Sequence, residues 1–230
     1  MSNRYVFMYA SVMVIVVALV LSTAATLLRP LQERNMRIEK MQNILSTIGI
    51  SAPRAEAIEL FEQYIKQAKV LNYRGEEIEG DAFEVDLQDE NRRPVEERQL
   101  PLFIADVDGE LFYIVPVRGA GLWGPIWGYL SFREDLVTIA GANFDHASET
   151  PGLGAEIADP PFERQFEGKR IFDRDGNFKP VVVVRGGAPA GDEHAVDGIS
   201  GGTITSNGVT AMLRNGLEVY KPYFQKQKTL

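Results

Sequence analysis

From Tyr5 to Leu28 the chain runs through Val, Ala, Leu, Met and Tyr without a single charge. At a helical rise of about 1.5 Å per residue, such a stretch exceeds a hydrocarbon layer of about 30 Å. The pattern predicts a transmembrane helix over 1–28. A secretory signal cut near Ser22-Thr23-Ala24 is the competing reading, but its apolar region is typically about 7–15 residues, so an uncleaved anchor is favoured. Arg29-Pro30 closes the span, after which Met36, Met41, Ile44, Leu45 and Ile48 recur at helical spacing as far as Gly49. Pro53 opens a second helix, with Ile58, Phe61, Ile65 and Ala68 on one face. Residues 74–99 are dense in charge and read as a solvated connection with a short strand.

Beyond Leu100 the period changes from helix to strand. Leu102–Val107, Asp108-Gly109 and Glu110–Val117 form the strongest hairpin signal in the chain. Ile126–Phe132, Leu136–Ala142 and Val181–Arg185 are further strand-like runs, and Asp175-Gly176 marks a turn. A helix starts near Ser206, capped by Thr205 or Ser206, with Val209, Leu213, Leu217 and Tyr220 on one face and Pro222 as its stop. The expected fold is therefore α+β, a single N-terminal transmembrane helix followed by a soluble mixed α/β body with an antiparallel sheet. Its expected divisions are an anchor at 1–28, a helical and connecting region at 29–99, a binding domain at 100–224 and a tail at 225–230.

Composition narrows the chemistry. With 45% hydrophobic and 24% charged residues the chain is not disordered, and with no cysteine it has no disulfide, iron–sulfur cluster, thiolate zinc or thiol nucleophile. Arg4 is the only charge in the first 28 residues, so the rest carries 23 basic against 32 acidic side chains, a net −9. Nucleic acid needs a basic footprint and is not expected as a partner.

Several motifs resemble chemistry and fail on context. Gly119–Gly124 matches GxGxxG, but Pro125 and a β-rich run follow it where a dinucleotide loop needs a helix. Gly198–Gly202 matches the GxSxG elbow around Ser200, yet both histidines, His146 and His194, precede the serine, which leaves an anchored hydrolase as a weak reading. Asp173–Asn177 is half a calcium loop lacking the glycine and glutamate that complete one, and no metal site is predicted. The segment that keeps its interest is Arg185–Gly208, in which small and hydroxyl residues lead into an amphipathic helix. Glycines admit backbone N–H groups to an anion, the helix start adds positive partial charge, and Ser200, Thr203, Thr205 and Ser206 offer hydroxyls. A capped helix after a flexible loop explains the same residues. Glu149-Thr150-Pro151-Gly152-Leu153-Gly154 and Leu122-Trp123-Gly124-Pro125-Ile126-Trp127 would seat a flat heteroaromatic ring, or are simply turn and core.

Taken together, Asp197-Gly198-Ile199-Ser200-Gly201-Gly202-Thr203, the Glu149–Gly154 element and Gly121-Leu122-Trp123 behind one N-terminal span resemble the NqrC family, the C subunits of the sodium-translocating NADH:quinone reductases. The resemblance implies an FMN-binding domain with FMN held by a phosphoester on Thr203, the threonine that ends the family's Ser-Gly-Ala-Thr motif. Gly202 departs from that motif's alanine, and the missing methyl should slow modification without forbidding it. Ser200, Gly201, Gly202 and Thr205 are implied around the phosphate. Leu122, Trp123, Thr150, Gly152, Leu153 and Gly154 are implied around the ring, with Glu149 as polar support. His194 is either a contact of the phosphate or of a transferase, or a surface-loop histidine. The implied role is an electron carrier between membrane redox centres in a translocase that oxidises NADH, reduces ubiquinone and exports sodium. Implied partners are the other membrane subunits and a flavin transferase using FAD and magnesium, with no turnover at this chain alone. The related G subunit of the Rnf complex shares the threonine motif and anchor, but Arg185–His194 leading into Val196-Asp197-Gly198 favours the quinone reductase. An anchored sensor or assembly domain remains the alternative from another class. The resemblance places the body on the periplasmic side of the inner membrane. A positive-inside count, with Arg29, Arg34, Arg37 and Lys40 after the span, places it in the cytoplasm.

Overall fold

A computed structural model describes residues 3–227, and the chain divides into two compact units, 1–40 and 41–230. The predicted tail at 225–230 falls partly outside the described residues, and 225–227 belong to a helix. The first helix, α1 (Asn3–Ser46), contains Pro30 and is not ended by it. Its apolar stretch has a mean hydropathy of 2.5 and none of that window is buried, so it is long and apolar enough to cross a membrane.

The second unit is built on a six-stranded antiparallel sheet in the order β2-β1-β3-β4-β5-β6. Its strands are β1 (Ile65–Leu71), β2 (Glu77–Ile78), β3 (Leu100–Val107), β4 (Glu110–Ala120), β5 (Pro125–Phe132) and β6 (Ile139–His146). Asp108 and Gly109 both take positive φ, 53° and 89°, the backbone a two-residue hairpin turn between β3 and β4 requires. Alternation along the strands divides the core into two. Phe103, Ala105, Phe112, Ile114 and Tyr129 meet the end of α1, through Met41, Ile44 and Leu45, and Phe61 of α2 (Ala57–Tyr64). Leu102, Val115, Val117, Ile126, Leu130 and Phe132 meet the opposite layer. The predicted second helix is too long, because Ile65 and Ala68 lie in β1. Their segment gains backbone pairing with β3 that outweighs its helical period.

Residues 74–99 hold β2 and a short α3 (Leu87–Glu90). After β6 come α4 (Pro160–Glu163) and then β7 (Val182–Val184) paired in parallel with β8 (Ala195–Asp197), a strand the sequence pattern did not reveal. The chain closes with α5 (Thr203–Glu218) and α6 (Lys221–Gln227). Pro222 sits in the first turn of α6, where its missing N–H costs nothing. One row of α5 lies along β4: Gly216 faces Val117, Met212 faces Gly119, and Gly208 lies against the Ala120 carbonyl where a Cβ would collide. That close crossing brings the start of α5 to the β4–β5 turn.

Candidate functional site

Helix α5 begins three residues earlier than its sequence suggests, at Thr203, with Gly202 as N-cap and no side chain capping it. The hydroxyls that were expected to cap are committed elsewhere. Thr205, 1% exposed, donates its hydroxyl to Glu149 Oε2 at 2.6 Å. Ser206 Oγ accepts the Ile199 N–H at 3.3 Å, bracing the turn in front of the helix. Gly202 N–H to the Ile199 carbonyl (3.1 Å) and Gly201 at φ 75° complete that turn. The result is a helix start with positive partial charge and no side-chain cap, and with the half-buried Thr203 side chain in its first turn.

Glu149 ties three segments together. It is 4% exposed, on the loop between β6 and α4, and its Oε1 accepts the Trp123 N–H of the β4–β5 turn at 2.8 Å while Oε2 holds Thr205 on α5. Burial acts to raise its pKa. The Thr205 hydroxyl and the backbone N–H groups of Trp123, Leu122 and Gly124 outweigh it, so the carboxyl lies below its ordinary range and is an anion. Ser148 donates to the Trp123 carbonyl at 3.1 Å, and Gly121 N–H to the Gly124 carbonyl closes the turn at 2.8 Å.

The space around this node is shaped by absent methyl groups. A Cβ on Gly154 would strike Thr205 Oγ1 and Glu149 Oε2, and one on Gly121 would meet Glu149 Oε1. On Gly201 it would meet Leu153 Cδ2, so the exposed Leu153 leans on the loop that carries Thr203. The Thr150 carbonyl accepts the N–H groups of Leu153 and Ala155 at 3.1 and 3.2 Å, folding the exposed Gly152 turn. Leu122, Trp123 (66% exposed), Leu153 and Ile204 (56%) form exposed apolar surface on the segments that meet here. Ile204 was not among the residues singled out from the sequence. The signal was available in its row, Ile204-Gly208-Met212-Gly216, which follows β4 towards the Leu122 turn.

Ser200, Gly201, Gly202, Thr203 and Thr205 are thus brought together with Leu122, Trp123, Glu149, Thr150, Gly152, Leu153 and Gly154. His194 is not. It precedes β8, donates its Nδ1–H to the Arg170 carbonyl (2.7 Å), and lines a cleft with Lys179 and Arg214, several turns along α5 from Thr203. At 8% exposure it is not a surface-loop histidine either. His146 Nδ1 accepts the Glu149 N–H at 3.3 Å, so among the described residues neither histidine is hydrogen-bonded to Ser200, and the hydrolase reading has no base.

The chemistry of these residues is compatible with a ring-and-phosphate cofactor: a helix start without a side-chain cap beside Thr203, and exposed Trp123 and Leu153 on the segments packed against it. Residues 121–218 match the FMN-binding domain model. The C subunit of the Na(+)-translocating NADH-quinone reductase of Vibrio vulnificus is 35% identical over 213 residues, covering 85% of this chain and 83% of that protein. Its counterpart of the same name from Pseudomonas aeruginosa is 31% identical over 240 residues, covering 92% and 90%. Among solved structures, the C subunit of this reductase from Parabacteroides distasonis superimposes with a TM-score of 0.80 at 47% identity, covering 86% of this chain and 96% of that one. Shewanella oneidensis NqrC superimposes with a TM-score of 0.73 at 28% identity, covering 84% and 98%. With relatives this similar along nearly their whole length, the chain belongs to the NqrC family, the C subunits of the Na(+)-translocating NADH-quinone reductases.

Proposed function

We propose that this chain is the membrane-anchored electron carrier of a sodium-pumping NADH:quinone reductase, holding FMN by a phosphoester on Thr203. The observation that carries the reading is the unequal state of the hydroxyls around the start of α5. Thr205 is buried and bound to an anion, Ser206 is buried and bound to the preceding turn, and Thr203 is half-buried in the first turn of a helix that has no side-chain cap. Ser200 is exposed but stands outside the helix. An acceptor for a flavin phosphate needs an accessible oxygen and a place for the phosphate charge. Thr203 has both.

When bound, FMN supplies one- and two-electron redox chemistry at its ring, while the protein contributes retention, orientation and electrostatics. Thr203 Oγ1 would carry the phosphoryl group: a flavin transferase would break the pyrophosphate bond of FAD, the flavin-bearing phosphoryl passing to Oγ1 as the hydroxyl proton leaves and AMP departs. The N–H groups of the first turn of α5 would face the phosphate, and Gly201 and Gly202 would let it approach. Leu122, Trp123, Leu153 and Ile204 would shield one side of the ring from water, held in place through Glu149 and Thr150. A fixed tether suits a relay that must meet a donor and an acceptor in turn without losing its cofactor. The soluble body would lie on the periplasmic side, anchored by the apolar part of α1 and docked to the other membrane subunits. Long domains cross a membrane largely regardless of flanking charge, which removes the objection raised by the arginines after the span.

The test is coexpression of the full chain with a flavin transferase, followed by denaturing electrophoresis and peptide mass spectrometry. The expected result is flavin fluorescence that survives denaturation, maps to the Thr203 peptide, disappears in Thr203→Ala and persists in Thr205→Val. A wild-type Thr203 peptide without added mass under those conditions would overturn the assignment.

A further inference from the structure

The segment 147–159, which carries Glu149, Leu153 and Gly154, leaves the sheet at the end of β6 and passes through a 3-10 helix at Gly154–Ala158 into α4. One side chain ties its two ends. Glu163, the last residue of α4, accepts the Phe144 N–H at 2.7 Å and an Asn143 Nδ2 hydrogen at 3.3 Å, both through Oε1. Strand β6 is the edge of the sheet, so the Phe144 N–H faces away from β5 and the carboxyl takes the place of a neighbouring strand. Beneath this contact the rings of Phe144, Phe162 and Phe166 pack at 5.1–6.0 Å, joining β6 to α4 through their apolar faces as well.

Asn143 Oδ1 is the buried side-chain atom left without a hydrogen-bond partner among the described residues. A buried acceptor of this kind needs a donor. The adjacent carboxyl offers none when ionised and one O–H when protonated, and an amide can present its nitrogen to a carboxylate or its oxygen to a carboxylic acid. The surroundings favour the acid. Burial first, then the charges of Asp159 and Asp145, push Glu163 up to about 7, against the opposing Phe144 N–H. The other charged groups on this cleft of about 420 Å³ are Arg133, paired with Glu110 at 2.6 Å, and Arg164 and Glu167, while Ser46–Gly49 on its far wall bring no ionisable side chain. The cleft is open to solvent, so a proton can reach the carboxyl directly.

We propose that Glu163 is a positioning residue for the cofactor loop, exchanging a proton with solvent and reading it out through Asn143 to set how firmly the two ends of 147–159 are held. Because Glu149 and Leu153 lie on that loop, the clasp would adjust the Trp123 turn and the start of α5 without touching the cofactor. That the loop serves a cofactor rests on the function proposed above; the clasp itself does not.

The experiment is an amide NMR titration of the full, flavin-free chain in detergent from about pH 3.5 to about pH 8.5, a window that brackets the ordinary carboxylate range and the raised value. The Phe144 amide should titrate with a midpoint near 7, and the Trp123 and Leu153 amides should follow with the same midpoint. Glu163→Gln, which keeps a donor at every pH, should abolish the titration at all three and hold Trp123 and Leu153 at their low-pH positions. Asn143→Ala, which removes the amide that carries the readout, should leave a Phe144 titration in place while the Trp123 and Leu153 amides no longer follow it. A Phe144 midpoint below about 5, the ordinary carboxylate range, would overturn the proposal. So would a Phe144 titration that Trp123 and Leu153 do not share, which would make Glu163 a local strand cap. None of these readouts uses flavin, so their failure is distinct from failure of the assignment at Thr203.

Discussion

Replacing Glu149 by alanine removes the acceptor from two donors at once: the Thr205 hydroxyl, in a side chain 1% exposed, and the Trp123 N–H. Each orphaned donor costs about 1–3 kcal/mol, and deleting the buried anion returns part of that as relieved desolvation, so the net loss is about 3 kcal/mol. For a body of this size about 1 kcal/mol moves Tm by about 2–4 °C, which gives a fall of about 6–12 °C. Calorimetry or circular dichroism on the full chain in detergent measures it. Thr205→Val deletes one donor and keeps the shape, so it should cost less, about 1–2 kcal/mol, and the double variant should cost less than the sum by at least about 1 kcal/mol. The pH dependence has a fixed sign. Because the Glu149 pKa is lowered in the fold, its stabilising share is complete above the unfolded carboxyl value and is lost as pH falls through the folded one. The alanine variant should therefore close its gap from wild type in acid. A Glu149→Ala protein within about 0.5 kcal/mol of wild type at neutral pH, or a cycle with no coupling, would refute the view that this carboxylate joins the three segments.

Two further outcomes follow from the same geometry. Gly201→Ala forces φ 75° on a residue with a Cβ and drives that atom onto Leu153 Cδ2, so it should destabilise by about 1–2 kcal/mol and reduce flavin incorporation, read by fluorescence of denatured protein normalised to total chain. Tyr220→Phe strips the hydroxyl that donates to the Pro101 carbonyl at 2.8 Å inside the core, where burial alone pushes the phenol pKa well up. It should cost about 1–2 kcal/mol in urea denaturation while leaving flavin content unchanged, which separates the core from the site.

The sequence was most legible where local pattern and tertiary structure agree. The hairpin of β3 and β4 follows from alternation around Asp108-Gly109, and the strand cores of β5 and β7 from their apolar runs. It misled where a local signal met a stronger distant partner. Ile65 and Ala68 continue the helical period of α2 but pair with β3. Leu136–Ala142 contains the start of β6, yet the strand begins at Ile139, because Leu136 takes φ 53° in a turn braced by Asp135. Ala195–Asp197 carries no strand pattern of its own, since a three-residue strand is set by its neighbour β7 and not by its own period.

The start of α5 shows most plainly why the site could be only half read. Local rules assign a helix cap to Thr205 or Ser206, since a hydroxyl residue ahead of an amphipathic run is the commonest way to satisfy the first N–H groups. Neither is free to act so. Thr205 is turned inward by a carboxylate 56 positions upstream in the chain, and Ser206 by the turn before the helix. The helix can then extend back to Thr203 and begin without a side-chain cap. No window short enough to show helical period contains Glu149, so the residue types of the site could be recognised from sequence while the division of labour among its hydroxyls could not. On the proposed assignment, that division separates an ordinary capped helix from a place of attachment for an anion. It predicts that adding a capping side chain, by Gly202→Asp, should lower flavin attachment, because the carboxylate would occupy the N–H groups proposed for the phosphate, while changing thermal stability by only a few tenths of a kcal/mol, since glycine is itself a fair N-cap and the new Cβ crowds Ile199. A folded Gly202→Asp protein with undiminished attachment would mean that the uncapped start is incidental to the site.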